Sequence, residues 1–85
     1  MMIISSALKN AEDILKKSQI SSWRLDAEVL LAEALLKDRS EIIIRDDLKI
    51  SNKKAFTFNR YIDRRKKFEP IAYILNNKEF FSLDF

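Results

Sequence analysis

Trp23 to Leu36 constrains the fold more than any other stretch. Ten of its fourteen residues are apolar, with no Gly or Pro, and the best helix formers, Ala and Leu, dominate. At about 100° per residue the apolar positions run most of the way round a helix. Asp26 and Glu33, with Lys37 just beyond, form one narrow wet stripe. Such a helix must be covered on several sides, which makes it the centre of a small bundle. Arg24 and Glu28 fall on the side opposite Asp26, one turn apart. Glu28 is thereby expected inward, between Leu31, Leu35 and Arg24, where an ionised carboxylate is costly unless a cation meets it.

The rest of the chain supplies the cover. Ile4, Ala7, Leu8, Ala11, Ile14 and Leu15 have the spacing of a one-sided helix over 4–17. Residues 18–22 read as a loop in which Ser21 or Ser22 caps the central helix. After a turn at 37–39, Ser40 caps a short helix through Ile44. Three consecutive isoleucines would also suit a strand, but no second strand is evident nearby. Residues 46–50 read as a loop, and Ser51 as the N-cap of a helix over 52–67. Pro70 suits the first position of a last short helix, with Ile71 to Leu75 following. Asn76 and Asn77 tolerate a turn, and the alternating tail Lys78 to Phe85 reads as strand or hairpin. The expected class is therefore all-α, a bundle of about five helices with a short C-terminal β-hairpin or strand. A ribbon ending at the last residue is poorly supported alone, which suggests a chain cut from something longer.

Composition narrows the chemistry. The 85 residues include no Cys, His or Gly. That removes disulfides, thiolates, the commonest metal ligands, the commonest general base and every glycine loop that cradles phosphate. Asp26 and Glu28 lie about 200° apart on a helix, so they cannot share a reacting centre. Packing and electrostatics explain these two carboxylates better than catalysis, and no metal-binding residue is expected. No apolar run approaches the roughly 20 residues that span a bilayer. The net charge of +3 fits a cytoplasmic protein with an acidic partner.

Two groups of residues stand out on the helix over 52–67. Lys53, Arg60, Arg64 and Lys67 share one side and are the candidate partner-binding stripe; otherwise they are a solvated face. No aromatic residue is seen to interleave them, which speaks against nucleic acid. Arg65 falls between Phe58 and Tyr61 on the inward face. A buried guanidinium needs a carboxylate, so Arg65 is expected to reach Glu28 or Asp26, unless its stem snorkels to water. Trp23 and Tyr73 are either interface anchors or core.

Three segments resemble one family. Leu25-Asp26-Ala27-Glu28-Val29-Leu30-Leu31-Ala32 resembles the central-helix signature of the N-terminal domain of release-factor glutamine methyltransferases, the HemK/PrmC family. Arg64-Arg65 followed by Glu69-Pro70-Ile71-Ala72-Tyr73-Ile74-Leu75 resembles its second signature, and Glu79 to Phe85 the hairpin leading to the catalytic domain. The family usually has glycine near Leu36, at Asn76 and often at Ser82, where this chain has none. The resemblance implies a helical substrate-recognition domain over 1–76 and the start of a β-hairpin linker over 77–85. It implies a separate Rossmann-like domain with a glycine-rich loop and an Asn-Pro-Pro-Tyr motif, neither of them present here, so that no catalytic or cofactor-binding residue is expected in this chain. That domain would move a methyl group from S-adenosylmethionine to the glutamine of a Gly-Gly-Gln motif in class 1 peptide-chain release factors. The implied partners are the release factor and the catalytic domain. An independent helical nucleic-acid-binding or adaptor module is the alternative.

Overall fold

The computed structural model describes residues 2–75. The expected C-terminal hairpin, the linker over 77–85 and the turn at Asn76 and Asn77 lie outside the described residues. Helix α1 spans Ile4–Lys17, α2 Trp23–Leu35, α3 Arg39–Ile44 and α4 Asn52–Lys66, and residues 71–75 form α5. Helix α2 packs against α1, α3 and α4, and α1 also packs on α4. Among the described residues no helix is long and apolar enough to cross a membrane.

The core follows the periodicity of each helix. Helix α1 contributes Ile4, Ala7, Ala11 and Leu15, and α4 contributes Phe58, Tyr61 and Ile62. Ala27, Leu30 and Leu31 of α2 are wholly enclosed, and Ala32, Ala34 and Leu35 nearly so. Each enclosed leucine stabilises the fold by about 1.5–3 kcal/mol. Ile42 secures α3 and Ile74 secures α5.

Two features differ from the sequence reading. Residues 46–50 are not a plain loop. Strand β1 (Met2–Ile3) pairs antiparallel with β2 (Lys49–Ile50), Met2 opposite Ile50 and Ile3 opposite Lys49. The adjoining amides of Ile4 and Ser5 donate to the carbonyls of Leu48 and Asp46, both at 2.9 Å. These carbonyls satisfy donors that α1 leaves open, because its N-cap, Ile3, has no side-chain oxygen. Two-residue strands are too short to show a period. Capping also differs. Ser51 accepts from the Lys54 amide at 3.2 Å as its sequence context predicts. Asp38 rather than Ser40 precedes α3, and the Ser22 hydroxyl turns away from the α2 amides toward Asp26.

The missing glycines are felt at three helix ends. Gln19, Leu36 and Phe68 have φ of 66°, 59° and 70°. Each closes the same turn, in which two successive amides double back onto carbonyls of the last helical turn. After α1, Gln19 and Ile20 donate to Lys16 and Leu15; after α2, Leu36 and Lys37 donate to Glu33 and Ala32; after α4, Phe68 and Glu69 donate to Arg65 and Arg64. A Cβ is unfavourable at such a φ, by roughly 1–2 kcal/mol. Closure of these turns compensates for that.

Candidate functional site

Among the described residues Asp26 is the one buried charged residue, 5% exposed. Its Oδ2 accepts from Arg65 Nε of α4 at 2.8 Å and from the Ser22 hydroxyl at 2.9 Å. Arg65 Nη1 also donates to the Glu69 carbonyl at 2.9 Å. Beside it, Arg64 grips the Glu69 carboxylate with two bonds, Nε to Oε1 at 2.8 Å and Nη2 to Oε2 at 2.6 Å. Such paired, charge-assisted bonds are the strong kind. The hydrogen bond from Arg64 holds the Glu69 carboxyl below its usual range, and the same bond raises Arg64 further.

The expected side of α2 is therefore reversed. Asp26, placed on the wet stripe, faces inward; Glu28, placed inward, sits at the rim and pairs with Arg39 of α3 at 2.9 Å. Arg65 meets Asp26 and not Glu28. Arg24 joins neither carboxylate; its guanidinium lies 5.2 Å from the centroid of the half-buried Trp23 ring, as does Lys16 Nζ. Charges of similar strength lie on both sides of α2, so its rotation depends on where Arg65 arrives. Leu25 is exposed because it shares the rim face.

The basic stripe on the outer face of α4 is likewise redrawn. Arg64 is engaged by Glu69, and Lys67 pairs with Asp63 at 3.4 Å. Lys53 and Arg60 are exposed and form no ion pair among the described residues. Phe56, 64% exposed, lies among them. It shares a depression of about 130 Å³ with Thr57, Arg60, Tyr61 and Arg64, and a shallower one of about 430 Å³ with Asn59, Arg60, Asp63 and Arg64. An aromatic residue thus does interleave the stripe. The signal was available, because Phe56 stands three residues after Lys53 and four before Arg60. Tyr73 is exposed on α5. Among the described residues no group of three or more Asp or Glu gathers as a metal site. This arrangement is suited to recognition: an aromatic ring and a guanidinium presented on a helix whose inner face is tied to α2 by the Arg65–Asp26 pair.

The family model of the PrmC N-terminal domain matches residues 6–75. The chain belongs to that family. Relatives of this PrmC N-terminal domain include the release factor glutamine methyltransferase of Haemophilus influenzae, 45% identical over 84% of the chain and 24% of the relative. That of Clostridium botulinum is 38% identical over 99% of the chain and 30% of the relative. A bifunctional methyltransferase of Rickettsia felis is 38% identical over 96% of the chain and 16% of the relative. The chain spans less than a third of the length of these relatives. No solved structure matches it.

Proposed function

We propose that this domain is the release-factor-recognition part of a protein-(glutamine-N5) methyltransferase, binding and orienting its substrate while another domain performs the transfer. The observation that carries this reading is the family match over residues 6–75, joined to relatives named for that activity. By the same resemblance, the methyl donor is S-adenosylmethionine, bound in the catalytic domain. The acceptor is the glutamine of a Gly-Gly-Gln motif in a class 1 release factor, encountered in the cytoplasm where translation ends.

Lys53, Phe56 and Arg60 form the docking face, with Arg64 and Lys67 at its edge. An exposed ring beside an uncommitted guanidinium is the composition that dominates protein interfaces. Arg60→Glu together with Phe56→Ala, in the protein carrying both domains, tests it. The KM for the release factor should rise about tenfold or more while the melt moves by less than about 0.5 kcal/mol. Unchanged kinetics would make the face merely solvated. A wild-type protein that leaves release-factor glutamine unmethylated would end the reading altogether. The Phe56 ring within a basic face also suits single-stranded RNA. Steeply salt-dependent RNA binding without release-factor binding would favour that second reading.

A further inference from the structure

Three helix ends close through the same left-handed turn, and the one at Phe68 is tied to the central helix. The Gln19 turn also carries a bond from the Ser18 hydroxyl to the Ile14 carbonyl at 2.9 Å, within its own helix, and an exposed Lys37–Glu41 contact at 4.0 Å lies beside the Leu36 turn. At Phe68 two arginines from the last turn of α4 are committed to the turn. Arg64 holds the Glu69 carboxylate, and Arg65 holds the Glu69 carbonyl while also holding Asp26 on α2. The Phe68 side chain is exposed and does not pin its own backbone by burial. Pro70 follows just ahead of α5, whose Tyr73 and Ile74 amides both donate to the Pro70 carbonyl. Ile74 of α5 is fully enclosed while Ile71 and Leu75 are half-buried against the core, so this five-residue helix, too short to hold on its own, depends on those contacts and on the turn before it.

We propose that Arg65 is a positioning residue that sets the direction in which the chain leaves the bundle. Its guanidinium spans two acceptors on different elements, the Asp26 carboxylate of α2 and the Glu69 carbonyl of the turn. It thereby ties the start of α5 to the central helix. Resting on the function proposed above, this clamp sets how the methyl-transferring domain faces the docking surface on α4. A lysine in its place keeps the charge but presents its donors from a single nitrogen, and it lacks the planar fork that serves both acceptors.

Arg65→Lys is the test, read in two ways. In the 85-residue chain, hydrogen exchange of the Tyr73 and Ile74 amides should accelerate about tenfold more than that of the Leu30 and Leu31 amides of α2, the loss expected for a charge-assisted bond. Uniform acceleration, or none, overturns the proposal. In the two-domain protein, kcat should fall while the KM for the release factor stays within about twofold, because the docking face is untouched. A KM effect alone, or an unchanged kcat, overturns it. If the lysine variant does not fold, Asp26→Asn carries the same test, since it keeps the carboxylate's shape and one acceptor. A wild-type two-domain protein without methyl transfer would end the proposed function, while the exchange measurement would still decide whether the clamp holds α5.

Discussion

Removing Asp26 should cost far more stability than removing Glu28, although the two carboxylates lie two residues apart on one helix. The Asp26 side chain is 7% exposed and its partner Arg65 17%. Asp26→Ala leaves a guanidinium mostly out of water with its charge unmet, and strips the Ser22 hydroxyl of its acceptor. Breaking a buried pair from one side costs about 3–5 kcal/mol. The low end applies here, because Arg65 keeps its bond to the Glu69 carbonyl and some contact with solvent. Glu28 is 14% exposed, but its partner Arg39 is 48% exposed and turns to water when the pair is lost. Glu28→Ala should therefore cost about 0.5–1 kcal/mol, as rim pairs do. A domain of this size has about 4–13 kcal/mol in all, so the first change consumes a large part of it. In urea melts read at a common slope the two variants should differ by about 2 kcal/mol or more. In thermal melts Asp26→Ala should fall by about 12 °C or more. Replacing the pair together, Asp26→Leu with Arg65→Met, should recover most of the loss, because no orphaned charge remains. Equal losses for the two single variants, or a larger one for Glu28, would refute the assignment of the inward face of α2.

Leu36→Gly should stabilise the domain by about 0.5–1 kcal/mol in the same melts, the relief of a left-handed Cβ outweighing the added freedom of the unfolded chain. Leu36 is 69% exposed, so little packing is given up, and a destabilised variant would show that the turn is unstrained. Glu69 has a folded value held below its ordinary 4.5 by the Arg64 bond, so in acid the unfolded chain binds the extra proton first. Its contribution is complete above that ordinary value and disappears as pH falls through the lowered one. Glu69→Gln should therefore flatten the acid limb of a stability-against-pH curve and leave its shape near neutrality unchanged; an acid limb identical to wild type would contradict the pair. The charge reversal at Arg60 is best made without touching Arg64, whose loss would also free Glu69 and blur docking with folding.

Much of this domain was readable along the chain because helices are local objects. The spacing of Ile4, Ala7, Ala11 and Leu15 marks α1, and the inward row Phe58, Tyr61 and Ile62 marks α4, by side chains three and four apart. Ser51 marks a helix start for the same reason. The pairing of Met2 and Ile3 with Lys49 and Ile50 left no trace, since two residues make no alternation and their partner lies far away in sequence. Phe56 stands on the basic face of α4, and its angle between Lys53 and Arg60 already places it there.

Residue order alone determined that Trp23 to Leu36 is a helix needing cover on most sides, and that Arg65 on α4 either finds a carboxylate within or runs its stem out to water. Which carboxylate it finds was settled only when α1, α3 and α4 closed around α2. Asp26 and Arg65 are 39 residues apart, and their attraction has little value in water. Assembly of the core excludes that water, and the bond then selects which side of a helix charged on both sides is turned inward.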